Sequence, residues 1–210
     1  MNNVILRLSD EEVMEIARQL RVGYGLKCTP RYNTERNFGV HYESVGEHVF
    51  ALHYLLEYFA RVEKLPRALD MEKARRMITF HDFGEIPNGD KPYHTKTKED
   101  EDQEREDAKK VFASLPVEIR SIAQESWEDY EARKSLEAQF VYALDKVEPM
   151  FELFNPVTEL SFKRLEQTYD QHIGKKLAAT ENFPVMRRFV EVVSSDMLAR
   201  RVFWVKEAAE

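Results

Sequence analysis

Apolar positions recur along this chain at the three- and four-residue spacing of amphipathic helices. The clearest case begins at Ser44, which we predict to be an N-cap with Glu47 as its capping-box partner. His48 follows within the first turn of this helix. Its position falls on the apolar face, so we predict that the imidazole points into the protein interior. That face carries the residues Val45, Val49, Leu52, Leu56 and Phe59.

Similar patterns predict further helices on both sides of this one. We expect them over residues 9–22, from Asp70 to about 81, from about 100 to 114, from Pro116 to about Tyr130, over 135–154, from about Ser161, and from Pro184 through Trp204. Residues 27–42 lack a helical period and are interpreted as an ordered loop. With 7 Gly and 8 Pro in 210 residues, the chain lacks the turn signals that many short strands need. We predict an all-α protein, a single globular helical bundle over residues 1–210.

Composition narrows the class of protein. Hydrophobic residues at 43% favour a folded chain, and a formal charge of −7 disfavours a broad surface for a nucleic acid polymer. Cys28 is the only cysteine, which excludes an intramolecular disulfide. No apolar run approaches the roughly 20 residues that span a bilayer, so no membrane association is expected. The prediction for localisation is the cytoplasm.

Four residues capable of binding a metal lie on or beside apolar helical stripes. His81 and Asp82 begin the sequence HDFGE at residues 81–85, His48 lies on the preceding capped helix, and Asp145 lies in the middle of the helix predicted over 135–154. Two imidazoles and two carboxylates suit a divalent transition metal such as Mn, Co, Fe, Ni or Zn better than Mg or Ca. The sequence therefore predicts a metal site shared by three helices.

The order of these pieces resembles the HD-domain superfamily of metal-dependent phosphohydrolases. TPR at residues 29–31, ESVGEH at 43–48, HDFGEIPNGD at 81–90 and LDKVE at 144–148 are most similar to its 5'-deoxynucleotidase branch, which has oxetanocin-type phosphohydrolases among its relatives. The resemblance covers about residues 29–154, followed by a helical extension over about 160–206. Tyr32 departs from the pattern, because a Trp usually follows the Arg of TPR.

The resemblance implies a role for each matching position. His48, His81, Asp82 and Asp145 would bind the metal, with Asp82 also counted as catalytic, and Glu85 would hold or activate the attacking water. Asp90 would lie at the sugar, and Arg31 with Tyr32 would contact the substrate. Only one histidine, His94, lies between the HD pair and Asp145, which favours one metal ion, with a second, weakly held Mg at Glu85 and Asp90 as the alternative.

The expected activity is release of phosphate from nucleotides, foremost 5'-deoxyribonucleoside monophosphates. The alternatives are hydrolysis of nucleoside triphosphates and a protein that binds nucleotides without catalysis. A homodimer or higher homo-oligomer is also predicted, because the C-terminal segment is unusually apolar, and packing of that segment onto its own domain is the competing interpretation. This segment carries Phe183, Met186, Phe189, Val190, Val193, Met197, Val202, Phe203 and Trp204.

Overall fold

The computed structural model describes residues 43–65, 68–153 and 159–205. The predicted helix over 9–22 and the predicted loop with Arg31 and Tyr32 lie outside these ranges. Within them the chain is helical, which confirms the all-α prediction. The helices are α1 (Val45–Val62), α2 (Met71–Phe80), α3 (Lys98–Ser114), α4 (Val117–Ala132), α5 (Leu136–Glu152), α6 (Leu160–Arg164), α7 (Tyr169–Ala179) and α8 (Pro184–Ala199), with a short 3₁₀ turn at Phe83–Glu85.

The first two helices begin as their sequences predict. The Ser44 hydroxyl accepts a hydrogen bond from the Glu47 backbone N–H, and the Glu47 carboxylate accepts one from the Ser44 backbone N–H. The Asp70 carboxylate accepts the backbone N–H groups of Glu72 and Lys73 at the start of α2. Caps of this kind stabilise a helix by about 1 kcal/mol each. They fix where α1 and α2 start, and therefore which side chains face inward.

Helix α5 is the centre of the bundle, because α1, α2, α4, α7 and α8 all pack against it. Its apolar face includes Phe140, Leu144 and Val147, which are fully buried. Pro149 lies inside α5 and has no N–H to donate to the carbonyl of Asp145 one turn earlier. The buried ammonium of Lys176, from α7, donates at 2.8 Å to the next carbonyl, that of Lys146. The middle of α5 is thus held by α7 as well as by its own helical hydrogen bonds.

One predicted helix limit needs correction. Helix α3 begins at Lys98, near the predicted start at about residue 100, behind a capping box formed by Thr97 and Asp100. Helix α8 ends at Ala199 and does not continue to Trp204. Arg201 adopts a left-handed conformation with φ of 59°, which ends the helix and turns the chain.

The segment that follows α8 packs onto the helical bundle. Val202 and Phe203 are each 4% exposed and lie against Phe162 and Met197 in a small apolar cluster. Phe183, Met186 and Val190 join the main core. These side chains are therefore not available to a second copy, and the homo-oligomer and the single-domain organisation both stay predictions. Among the described helices, none is both long and apolar enough to cross a membrane.

Candidate metal centre

Three helices bring the four predicted ligand residues together. His48 lies in the first turn of α1, His81 and Asp82 directly follow α2, and Asp145 lies midway along α5. His48 and His81 are 0% and 2% exposed, so both imidazoles are in the interior as predicted. The three elements pack against one another through the main core, so a rigid part of the fold determines the position of each side chain.

The donor atoms of these residues converge. His48, His81 and Asp82 each offer one donor atom within 4.8 Å of the others. The Oδ1 atom of Asp145 lies 3.2 Å from Nε2 of His48 and 4.0 Å from Nε2 of His81. The Oδ1 atom of Asp82 lies 3.1 Å from Nε2 of His81. Two nitrogens and two carboxylates thus surround one small volume.

Hydrogen bonds on the far side of each ring orient the two imidazoles. Nδ1 of His48 lies 2.7 Å from Oε2 of Glu148, and Nδ1 of His81 lies 2.9 Å from the carbonyl oxygen of Ile78. Both partners are acceptors, so the proton of each neutral ring belongs on Nδ1. The lone pair of each ring is then on Nε2 and faces the other donors, as in metal sites whose histidines are oriented by an outer carboxylate or carbonyl.

This donor set fits a divalent cation. Nε2 of His81 is buried and has no hydrogen-bond partner among the described residues, although a carboxylate oxygen of Asp82 lies nearby. Likewise, Nε2 of His48 and Oδ1 of Asp145 are both acceptors in these protonation states, and at 3.2 Å they repel unless a cation lies between them. A bound ion would satisfy all of these atoms at once.

The second oxygen of Asp145 has partners of its own. The Tyr130 hydroxyl donates to Oδ2 at 3.1 Å, and the Lys146 ammonium lies 2.6 Å from the same atom. Burial raises the pKa of the Asp145 carboxyl, but the positive charge of Lys146, the largest opposing cause, acts in the other direction, and the pKa lies well below its usual value. Burial, followed by the charge of Asp145, raises the pKa of the Tyr130 hydroxyl well above 10. Asp145 is therefore a carboxylate and Tyr130 remains a hydrogen-bond donor at neutral pH.

Glu85 lies in the short turn that follows the HD pair. Its side chain is 8% exposed, and burial, followed by the charges of Asp82 and Asp90, raises its pKa well above the usual value. The turn packs closely on α3, since a methyl group at Gly84 would lie 2.8 Å from the carbonyl oxygen of Glu104. Glycine at position 84 thus lets the backbone approach α3 and hold Glu85 in the interior.

A cavity of about 350 Å³ opens onto this centre. His81, Asp82, Glu85, Asp90 and Asp145 all line it, so five of the eight predicted site residues face one space. His48 lies behind them, and Arg31 and Tyr32 lie outside the described residues. The remaining wall contains four aromatic residues, six cations and three carboxylates. The aromatic residues are Tyr93, Trp127, Tyr130 and Tyr142, the cations are Lys91, Lys96, Arg105, Arg133, Lys146 and Lys175, and the carboxylates are Glu101, Glu104 and Glu131.

The sequence prediction missed several residues of the centre. Glu148 follows Asp145 by three positions in α5, a spacing that places both on one helix face, so this signal was present in LDKVE. Tyr130 gave no comparable signal, because only the packing of α4 against α5 brings its hydroxyl to Asp145. His94 does not line the cavity, and its Nε2 lies 2.9 Å from the carbonyl oxygen of Leu165.

Comparison with known proteins gives a consistent result. A sequence profile described as HD domain matches residues 25–186. The 5'-deoxynucleotidase HDDC2 of Homo sapiens is 34% identical over 137 residues, which cover 63% of this chain. The match spans 64% of the human protein, which is just under two thirds of its length. The Mus musculus protein of the same name is 32% identical over 164 residues, covering 76% of this chain and 79% of the mouse protein.

A solved structure shares the fold. It is a predicted metal-dependent phosphohydrolase from Magnetospirillum magnetotacticum MS-1, with a TM-score of 0.75 and 23% sequence identity. The similarity covers 92% of this chain and 98% of that protein. At this identity the likeness supports the architecture alone.

Proposed function

Since this chain belongs to the HD-domain family, we propose that it is a metal-dependent phosphohydrolase that releases orthophosphate from 5'-deoxyribonucleoside monophosphates. The convergence of four donor residues beside a buried glutamate is the observation that carries this proposal. The similarity to proteins named 5'-deoxynucleotidase supports the choice of substrate.

His48, His81, Asp82 and Asp145 are the proposed ligands of one divalent transition metal ion. When bound, the ion supplies positive charge that polarises the phosphoryl group and lowers the pKa of a water molecule. Glu148 and the Ile78 carbonyl hold the imidazoles in the orientation that this role needs. In the alternative with a second, weakly held Mg, Glu85 and Asp90 would be its carboxylates.

Glu85 is the proposed general base. A base works best when its pKa lies near the working pH, and burial moves the pKa of this carboxyl upward from its ordinary acidic value. Glu85 would take a proton from the attacking water as the new oxygen–phosphorus bond forms. The bond between phosphorus and the 5' oxygen then breaks, and that oxygen would receive a proton from solvent while Glu85 releases its own to solvent, which yields a deoxynucleoside and orthophosphate.

Asp90 is the proposed contact to the sugar. It follows Glu85 by five residues, after a turn in which Gly89 has a φ of 80°. That left-handed conformation costs glycine little and returns the chain to the cavity wall. Arg31 and Tyr32 remain proposed substrate contacts on the strength of the family resemblance.

A panel of substrates tests this function. Purified protein with Mn, Co or Mg would be incubated with dAMP, AMP and dATP, and the released orthophosphate, pyrophosphate and triphosphate measured. We expect orthophosphate from dAMP and none from the Asp82→Ala variant. Release of pyrophosphate or triphosphate from dATP alone would favour the triphosphate hydrolase. Nucleotide binding without any release would identify a binding protein instead.

A further inference from the structure

The six cations that line the cavity fall into two groups. Four are paired with carboxylates: Lys91 with Asp100, Lys96 with Glu104, Arg105 with Asp102, and Lys146 with Asp145. The other two, Arg133 and Lys175, form no ion pair within the described part of the chain. Seven carboxylates also line the cavity, so Arg133 and Lys175 are positive charges on one part of a wall of mixed charge, where they can attract an anionic ligand.

Aromatic rings hold these cations in place. The guanidinium carbon of Arg133 lies 4.0 Å from the centre of the Tyr142 ring, and the Lys146 ammonium lies 5.1 Å from the same centre. The Lys175 ammonium lies 5.0 Å from the centre of the Tyr93 ring. Contacts of this kind orient a cation without neutralising its charge. The charges therefore remain available on the cavity side.

The cations are also close enough to affect one another. Burial, followed by repulsion from Lys146, lowers the pKa of Lys175; the carboxylate of Glu101 opposes this shift, and Arg133 adds to it. The neighbours of Glu85 are acidic instead, because Asp82 and Asp90 lie near it and raise its pKa. The cavity thus has an acidic part at Glu85 and a basic part at Lys175. The ion pair between Lys146 and Asp145 connects the basic part to the metal ligands.

We propose that Arg133, Lys146 and Lys175 form a second anion subsite beside the metal centre, which holds phosphate groups beyond the one placed at the metal ion. This inference rests on the proposed function, because it assigns the first phosphate to the ion. Its ligands are inorganic pyrophosphate and the additional phosphates of nucleoside di- and triphosphates. A nucleoside monophosphate has a single phosphate and does not need this subsite.

The structure provides room for such a ligand. A neighbouring cavity of about 420 Å³ shares Arg133, Tyr142 and Lys175 with the first one. The amide side chains of Gln139 and Asn182 also line this second space. A phosphate chain that starts at the metal ion can therefore extend past the three cations without leaving the protein surface.

A double variant, Arg133→Asn with Lys175→Gln, removes the two unpaired charges. Asparagine suits position 133 because its φ is 52°, a left-handed conformation that Asn tolerates better than most residues. Lys146 is left unchanged, because it is paired with a proposed metal ligand. Lys134→Gln is the matched control, since Lys134 is exposed, follows Arg133 directly and does not line either cavity.

Calorimetric titration of the Mn-loaded proteins at a fixed free Mn concentration would compare orthophosphate with pyrophosphate. We expect pyrophosphate to bind the wild type about tenfold more tightly than orthophosphate, as additional charge-assisted hydrogen bonds would allow. The double variant should lose this advantage and Lys134→Gln should keep it. Circular dichroism and metal content check the fold, and the two single variants replace the double variant if it fails to fold.

A second arm compares dATP with dAMP in the same proteins, with Glu85→Gln added to each so that neither nucleotide is consumed. If the double variant no longer binds dATP more tightly than dAMP, the subsite holds nucleotide phosphates. If it still prefers dATP to dAMP but no longer prefers pyrophosphate to orthophosphate, the subsite holds free pyrophosphate. Equal affinities of wild type for the longer and shorter ligands, or advantages that persist fully in the double variant, would overturn the inference. Both arms measure binding, so failure of dAMP hydrolysis is a separate result.

Discussion

Oε2 of Glu148 lies 2.7 Å from Nδ1 of His48, and both side chains are almost completely buried. The contact connects α1 to α5, on which Asp145 also lies. Because the carboxylate accepts the Nδ1 proton, Nε2 of His48 keeps its lone pair directed towards the other donors. Glu148 is therefore a positioning residue, which acts on the metal centre through the imidazole.

The first prediction follows from this contact. Glu148→Ala should weaken Mn binding by about 10- to 100-fold, the range typical for loss of an outer partner of a metal-binding histidine. Glu148→Gln should recover part of the affinity, because its amide oxygen can still accept the Nδ1 proton. Titration calorimetry measures both values, with exposed Glu125→Gln as the charge-matched control. An unchanged dissociation constant in Glu148→Ala would refute the positioning role.

Tyr130→Phe tests whether the hydrogen bond from the Tyr130 hydroxyl to Asp145 supports the metal site. The variant removes the hydroxyl that donates to Oδ2 at 3.1 Å, while the ring can keep its edge-to-face contact with His81. A hydrogen bond of this kind contributes about 1 kcal/mol, so Mn should bind about fivefold more weakly. Tyr54→Phe, at a position that is 70% exposed, should bind Mn like the wild type. Equal affinities for all three proteins would show that the hydroxyl does not support the site.

Glu85→Gln should abolish phosphate release and yet stabilise the metal-free protein at high pH. The folded state raises the pKa of this carboxyl, so the wild type loses stability as pH rises above the unfolded value near 4.5, until the carboxyl is fully ionised. Glutamine carries no proton to lose and avoids this cost. The free energy of unfolding, measured in urea with EDTA, should therefore differ little at pH 4.5 and favour the variant increasingly towards pH 8. A difference that stays constant with pH would contradict the raised pKa.

Gly84→Ala should destabilise the protein by about 1–3 kcal/mol, the usual cost of forcing an extra methyl group into a packed interior. The clash is with backbone, the carbonyl oxygen of Glu104, which cannot move aside as a side chain could. Gly174→Ala, in α7, is the matched control, because a methyl group there meets no atom of the described segments within 4 Å. The free energy of unfolding of this control should rise by roughly 0.5–1 kcal/mol, because glycine within a helix is less stable than alanine. Urea unfolding compares the two variants, and equal effects would show that the turn is not tightly packed.

The parts of this fold that the sequence predicts well depend on local chemistry. The capping box at Ser44 and the apolar period behind it place His48 inside, and the Asp70 cap does the same for the stripe that leads to His81. Helical spacing alone therefore predicts that His48 and His81 face inward and that Asp82 is adjacent to His81. The fourth proposed ligand, Asp145, is distinguished from a surface residue only by its occurrence together with the other three, not by its own position in the helix.

The parts that escaped prediction depend on contacts between distant segments. Arg133 and Lys175 are 42 positions apart, and nothing local indicates that they share a cavity wall. The end of α8 was predicted too late because Val202 and Phe203 continue an apolar pattern. These two residues do not extend the helix; they are buried against Phe162 after the chain has turned at Arg201.

The most direct test of the account is to measure metal content and dAMP hydrolysis in the same preparation. Metal-free protein should release no orthophosphate, and one equivalent of Mn per chain should restore release. Glu85→Gln should bind the same single equivalent and remain inactive. Orthophosphate release that is equally fast without metal, or its absence from the fully Mn-loaded wild type, would contradict the proposal of a metal-dependent phosphohydrolase.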